Sequence, residues 1–317
     1  RNAAGFRTGS EPALVAAYTS TGRGECIAYS NDRGRTWTDY TGNPVVKHQG
    51  RDPKLIWHEP TRKWVMAVYD EADKTRNISF HTSTDLKTWE YQSRIEGFFE
   101  CPDMFELPVD GDAKNKKWVL TAASSEYMIG SFDGKRFTPE TALLPGHRGN
   151  AFYAAQTYSD IPATDGRRIQ IGWSTVKLPG MPFNQMMAFP CELTLRSTPE
   201  GIRLCFEPVK EIETLRGRKQ HLLSMGLRPG ANPVEVYTGD LFALMAEFEP
   251  ADATEFGFLI RGVPVTYDAR KQELSCLGTK VPLKTIGGKI HLQILVDRAS
   301  IEIFGNYGLI YMPMGVL

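Results

Sequence analysis

The chain has 317 residues, with 37 lysines and arginines against 37 aspartates and glutamates, so its formal net charge is zero. That balance gives no reason to expect a polyanion, whether nucleic acid or an anionic membrane surface, as partner. No apolar run approaches the roughly 18 residues of a membrane span, and the five cysteines, at 26, 101, 191, 205 and 276, have neither disulfide-type nor metal-type spacing.

Helical periodicity is nearly absent along the chain. Short strand-like runs bounded by Gly, Pro, Asn and Asp take its place, at 13–18, 63–69, 117–122 and 169–173. Between them one pattern recurs: a strand, a polar turn with Asp, then an aromatic. It appears as Ile27 to Trp37 around Asp32, as Phe80 to Trp89 around Asp85, and as Ile129 to Phe137 around Asp133. A period near 50 residues with several strands per unit predicts β-propeller blades. The three aspartates are expected to be structural, each accepting backbone N–H bonds across its turn while the aromatic packs between sheets. The first copy also fits the Asp-box turn of sialidase-like propellers. All six tryptophans (37, 57, 64, 89, 118, 173) fall in the first 173 residues, which predicts two domains with the sugar binder first.

A short helix is expected from Val209 to Arg216, ended by Gly217, as a connector. Beyond it the runs lengthen and alternate, at 241–248, 256–260, 290–296 and 300–304, and suggest a β-sandwich. The predicted division is a propeller over 1–205, a linker over 206–217 and a sandwich over 218–317.

Two acidic clusters stand out. Gly50-Arg51-Asp52-Pro53-Lys54 opens a strand, and Glu100-Cys101-Pro102-Asp103 follows Phe98-Phe99. A glycosidase needs two carboxylates in different environments, one protonated and one ionised. Apolar neighbours are expected to raise the pKa of Glu100 by burial, as a general acid requires. Arg51 and Asp52, being neighbours on a strand, face opposite ways, so their pairing is not assured.

In combination the motifs resemble glycoside hydrolase family 32, the invertase, inulinase and levanase family. The resemblance rests on Asn-x-x-Gly-Phe (2–6), Ser-Asn-Asp-Arg-Gly-Arg-Thr-Trp (30–37), Gly-Asn-Pro-Val (42–45), Arg-Asp-Pro (51–53) and Glu-Cys-Pro-Asp (100–103). It continues through Phe-Tyr-Ala-Ala-Gln-Thr (152–157), Gly-Trp (172–173), Glu-Leu-Thr-Leu-Arg (192–196) and Asp-Arg-x-Ser-Ile-Glu-Ile-Phe (297–304). It implies an all-β fold, a five-bladed β-propeller followed by a β-sandwich, and hydrolysis of fructosyl linkages in sucrose or fructans with retention, through a fructosyl-enzyme. It further implies Glu100 as acid/base and Asp52 as transition-state stabiliser. Arg51, Cys101 and Tyr153 would contact the sugar, with Cys101 packed beneath the acid/base. The partner is a fructose-containing saccharide, no metal or organic cofactor is required, and polymer-degrading relatives suggest a secreted or periplasmic protein. Asp52 and Glu100 are expected to converge at the propeller axis from successive blades.

Three departures accompany the resemblance. The family nucleophile is an Asp in Trp-x-Asn-Asp-Pro-Asn, and no such segment occurs here. The propeller is therefore expected to be incomplete at its N-terminus, and the chain alone to be inactive and poorly soluble. Ala151 stands where the family often has Asp before Phe-Tyr-Ala. Met181 to Met187, with Cys191 beyond it, replaces a Trp- and Arg-bearing stretch, either as a leaving-group subsite or as a Met-rich packing loop. Two other functions stay open: a non-catalytic fructan-binding propeller, and a five-bladed hydrolase acting on arabinose or xylose.

Overall fold

The computed structural model describes residues 4–235 and 239–316; Asn2 of the opening motif lies outside the described residues. Strands dominate, and the only helical pieces among the described residues are two short 3-10 stretches, Ala72–Lys74 and Lys210–Leu215. The connector expected at Val209 to Arg216 is the second of these. It buries no residue, so nothing extends it into an α-helix.

Two compact units emerge, and the chain passes between them more than once. The first comprises Arg1–Gly146, Tyr153–Asp160 and Thr194–Ile202; the second comprises His147–Phe152, Ile161–Leu193 and Arg203–Leu317.

The first unit opens with an antiparallel sheet of β1 (Leu14–Ser20), β2 (Gly24–Ser30) and β3 (Thr38–Asp39). A four-stranded meander follows: β4 (Gly50–His58), β5 (Lys63–Asp70), β6 (Asn77–Ser83) and β7 (Glu90–Glu96). The next meander is β8 (Asp103–Val109), β9 (Asp112–Thr121), β10 (Tyr127–Phe132) and β11 (Phe137–Pro139), and β12 (Tyr153–Thr157) comes after it. Successive residues of β5 serve opposite faces, as a pleated strand requires. Val65, Ala67 and Tyr69 join Phe80, Met104, Leu120 and Phe132 in one core, whereas Met66 and Val68 join Val46 on the other side. A meander covered on both faces is what a propeller blade needs.

The repeated aspartates are turn residues, as expected. Asp32 accepts from the Thr36 N–H at 2.9 Å, Asp85 from the N–H groups of Lys87 and Thr88, and Asp133 from those of Lys135 and Arg136. The aromatics differ more than expected. Phe137 is buried and Trp89 packs against the core of β1–β3 and β4–β7, but Trp37 is about half exposed and caps its own turn through an indole bond to Gly34 O at 3.1 Å.

The second unit contains β13 (Ile169–Ser174) and β14 (Met186–Met187); β15 (Cys191–Thr198) and β16 (Gly201–Pro208) have residues in both units. Trp173 therefore lies in the second unit, not with the other tryptophans. Among the described residues 218–241 carry no strand. The remaining strands, β17 (Phe242–Phe248), β18 (Glu255–Ile260), β19 (Val263–Asp268), β20 (Glu273–Cys276), β21 (Thr279–Pro282), β22 (Ile290–Val296), β23 (Ser300–Gly305) and β24 (Ile310–Gly315), form two antiparallel sheets, β17-β22-β23-β24 and β18-β19-β20-β21. Both sheets feed one core, with Val265, Tyr267 and Leu274 meeting Leu292, Ile294, Ile303 and Met312, which makes this part a β-sandwich.

Because Ile301 and Ile303 face that core, Glu302 between them faces away from it. It is nonetheless fully buried, among Phe189, Cys191 and Tyr311. Its carboxyl accepts from the Tyr311 hydroxyl at 2.6 Å and from the Phe189 N–H at 3.0 Å. Burial outweighs these two bonds and pushes its pKa up to about 7.

Candidate active site

The two sequence clusters occupy equivalent places in the first unit. Arg51 and Asp52 begin β4, the first strand of one meander; Glu100 and Cys101 immediately precede β8, the first strand of the next. Gly50 leads into β4 because nothing larger fits: a methyl group there would overlap the Tyr69 carbonyl oxygen. The ladder between β4 and β5 then slips between Arg51 and Lys54, a β-bulge at Asp52-Pro53. Pro53 has no N–H to give the ladder, which suits it to a bulge. Asp52, Glu100 and Cys101 all take left-handed backbone angles, with φ of 66°, 55° and 43°, and Ala154 beside Tyr153 does the same at 50°. Each such residue costs on the order of 1–3 kcal/mol, so the candidate residues meet at strained backbone positions.

These local distortions turn the side chains toward one another. Arg51 donates through Nε to Glu100 Oε1 at 3.0 Å and makes a second, shorter bond to the same oxygen through Nη2; its Nη1 reaches Glu71 Oε1 at 3.3 Å. The guanidinium also lies over the Tyr69 ring. Tyr153 donates its hydroxyl to Glu100 Oε2 at 2.6 Å, so both carboxylate oxygens are engaged. Asp52 accepts the Cys101 N–H at 3.0 Å and its thiol at 3.6 Å, both on Oδ2. The Asp52 N–H in turn donates to Thr19 Oγ1, Thr19 donates to Glu25, and buried Glu25 meets His48 at 2.7 Å.

A second knot joins the last residue of each cluster, three positions after Arg51 and after Glu100. Lys54 Nζ donates to Asp103 Oδ2 at 3.2 Å, to Gln156 Oε1 at 3.3 Å and to the Thr157 carbonyl at 2.8 Å. Gln156 gives its amide N–H groups to the carbonyls of Cys101 and Pro102, and the Thr157 N–H donates to Asp103 at 2.6 Å. Asp103 is fully buried and Lys54 nearly so.

All five residues singled out in the sequence, Arg51, Asp52, Glu100, Cys101 and Tyr153, thus belong to one linked cluster. Two expectations about them need correction. Burial is the largest single influence on Glu100 and acts upward, but the bonds from Tyr153 and Arg51 and the charges of Arg51 and Arg76 outweigh it, leaving its pKa below the ordinary value. Aromatic neighbours in sequence did not mean an uncompensated pocket. Cys101 does not sit beneath Glu100: its thiol faces Asp52, and burial, reinforced by the Asp52 charge, pushes that thiol up to about 12. It is a neutral donor and not a thiolate.

Thr19, Lys54, Glu71, Asp103 and Gln156 escaped the sequence reading. For Lys54 and Asp103 a signal existed. Arg-Asp-Pro-Lys and Glu-Cys-Pro-Asp carry opposite charges at their first and fourth positions, and the pairs Arg51–Glu100, Asp52–Cys101 and Lys54–Asp103 are all 49 residues apart.

In the second unit, Ala151 packs with Val176 and Ala299 and is buried. Met181, Phe183 and Met187 are more than half exposed, and residues 177–184 line a cleft of about 620 Å³. Leu178 and Met186 of the same stretch pack against the Ala151, Val176 and Ala299 cluster.

Comparison with known proteins gives a consistent answer. Residues 4–208 match the glycosyl hydrolases family 32 N-terminal domain, and residues 211–312 match the glycosyl hydrolases family 32 C-terminal domain. A levanase of Bacillus subtilis (strain 168) is 39% identical over 97% of this chain and 53% of its own length. An extracellular exo-inulinase of Aspergillus ficuum is 28% identical over 97% of this chain and 72% of its own. The crystal structure of an exo-inulinase from Aspergillus awamori superposes with a TM-score of 0.83 at 25% identity, covering 99% of this chain and 76% of that one. The chain spans about half the length of the first of these curated relatives.

Proposed function

We propose, from the premise that the chain belongs to glycosyl hydrolase family 32, that it forms the acid/base half of a retaining fructosidase acting on fructans or sucrose. The observation that carries this is the Arg51–Glu100–Tyr153 and Asp52–Cys101 cluster, which joins two carboxylates from successive meanders at strained backbone positions. Glu100 protonates the departing glycosidic oxygen and later takes a proton from the attacking water. Asp52, held by the Cys101 N–H and thiol, accepts fructose hydroxyls and stabilises the oxocarbenium-like transition state. Arg51 and Tyr153 hold the carboxylate of Glu100 in place before substrate arrives.

The lowered pKa of Glu100 fits this scheme once the second carboxylate of a retaining enzyme is considered. A nucleophile ionised across the sugar is a like charge that raises the acid, and desolvation by the sugar acts in the same direction. We assign that nucleophile to a segment outside these 317 residues, and on this assignment the chain alone does not turn over. Five blades, the division at 1–205, 206–217 and 218–317, and a secreted or periplasmic home belong to the same proposal. The family matches ending at 208 and starting at 211 support the division, and the extracellular inulinase relatives support secretion.

The test is to supply levan, inulin and sucrose to the chain alone and to the chain in its full-length protein, following released fructose and its anomeric configuration by NMR. Release of β-fructose by the full-length protein and none by the chain alone is the expected outcome. Inversion, or binding of fructan without hydrolysis in the full-length protein, would refute the assignment, the second outcome favouring a fructan-binding module.

A further inference from the structure

We infer that Lys54, with Asp103 and Gln156, is a positioning centre that sets the relative placement of Asp52, Glu100 and Tyr153; the inference rests on the catalytic roles proposed above. Three chain segments carry those residues: the start of β4, the bend before β8, and β12. Each of the three runs, within four residues, into the same ammonium group. Lys54 lies two residues after Asp52, Asp103 three after Glu100, and Gln156 and Thr157 three and four after Tyr153 on the same strand. A Lys ammonium has three protons to give, and here Lys54 has three acceptors, one from the second segment and two from the third: Asp103 Oδ2, Gln156 Oε1 and the Thr157 carbonyl. Gln156 then closes the triangle by donating to the Cys101 and Pro102 carbonyls, in the turn that aims Glu100.

The ladder of equal offsets sharpens the point. Arg51–Glu100, Asp52–Cys101 and Lys54–Asp103 are successive rungs between two segments held in one register. The first two rungs are partly exposed, and substrate would contact them. The third is dry, with Asp103 fully buried and Lys54 about one-eighth exposed. A buried ion pair is weak evidence for stability, because desolvating two charges offsets most of their attraction. What such a pair does provide is a fixed geometry. Glu100 and Cys101 hold left-handed backbone angles that their residue types disfavour, and Asp52 shares that region; a rigid anchor beside them keeps such angles populated. Lys54 touches no reacting atom in this scheme and acts through the residues it orders.

The experiment uses the full-length protein and the double variant Lys54→Met/Asp103→Leu, which removes both charges together and leaves no unpaired ion. Glu100→Gln serves as the reference for lost acid catalysis. The exposed pair Lys117–Glu140 of the same unit, replaced as Lys117→Met/Glu140→Leu, serves as the neutral control. The expected result for the Lys54/Asp103 variant is a kcat lower by about 10- to 100-fold, the range for a misplacement on the order of 1 Å. KM should stay within about threefold, and the control should be unchanged. The limb of the pH–rate profile that disappears in Glu100→Gln should also move to higher pH, because Tyr153 and Arg51 no longer hold the carboxylate as closely. Gln156→Met is the second variant; it keeps the Lys54–Asp103 ion pair, so no buried charge is left unpaired. It should show the same kcat-selective loss and limb shift on a smaller scale, whether or not the double variant folds. Normal kcat and an unmoved limb in the folded double variant, or in Gln156→Met where the double variant does not fold, would overturn the inference. Failure of the functional reading is recognised separately, by Glu100→Gln keeping full activity.

Discussion

Glu100 in the first unit and Glu302 in the second make an instructive pair. Each accepts a tyrosine hydroxyl at 2.6 Å, from Tyr153 and Tyr311 respectively. Their ionisation moves in opposite directions. Glu100 is held below the ordinary carboxylate value, whereas burial takes Glu302 up to about 7. The hydrogen bond from tyrosine is common to both, so it does not decide the outcome. Burial and the cation do: Glu302 is fully buried with only a phenol and a backbone N–H as hydrogen-bond partners, whereas Glu100 is part-exposed and has Arg51 on it. The carboxyl with the pKa of a resting general acid is therefore in the sandwich, not among the candidate residues. A raised pKa without a charge partner and a cleft is a poor guide to catalysis.

The comparison breaks most visibly under paired isosteric substitutions. Glu100→Gln in the full-length protein should lower kcat by about 10²–10⁴-fold, the usual worth of general acid catalysis, with thermal unfolding little changed. If Glu302→Gln produced the larger loss of turnover, the functional ranking of the two would be reversed. The larger effect of Glu302→Gln should be on the pH dependence of stability. A carboxyl raised from 4.5 to about 7 contributes stability that is complete below the lower value and lost as pH climbs toward the upper. The whole swing is roughly 3 kcal/mol. Denaturant unfolding of the parent between pH 4 and 8 should show this slope relative to Glu302→Gln, and parallel curves would mean that folding leaves the Glu302 carboxyl unshifted.

Removing the shared tyrosine hydroxyls should also separate the two sites. Tyr311→Phe leaves a buried carboxyl with one donor fewer and should cost about 1–3 kcal/mol, read by equilibrium unfolding. Tyr153→Phe should cost less, because Glu100 is part-exposed and keeps Arg51. The smallest effect is expected at a turn residue bonded to neither acid. Asp85→Ala removes the acceptor of a blade turn and should lower stability by about 1 kcal/mol without altering kcat; a rate effect comparable to Glu100→Gln would give Asp85 a catalytic part.

Much of this arrangement was legible in the sequence, and the unread parts share a cause. Alternation of two, the Asp turns and the absence of a helical period identified strands, meanders and the sandwich, because those signals are local. Arg51, Asp52, Glu100, Cys101 and Tyr153 were legible through motifs. The direction of the Glu100 shift was not, since it depends on Arg51 and Tyr153, 49 and 53 positions away. Trp37 was misplaced for a related reason: its turn resembles those of Trp89 and Phe137, but burial depends on what covers the turn. Likewise, the 3-10 stretch at Lys210–Leu215 has helix-tolerant residues and no apolar stripe to dock.

Gly50 carries a consequence of a different kind. It has no functional group and touches no ligand in the proposed chemistry, yet any side chain there would collide with the Tyr69 carbonyl and displace the bulge that carries Arg51 and Asp52. In a deep mutational scan of the full-length protein it would be as intolerant as the carboxylates, and an observer ranking positions by tolerance alone would take it for part of the reaction. For anyone redesigning substrate choice, it marks a fixed point of the sequence: the backbone entering β4 here has no room for a side chain.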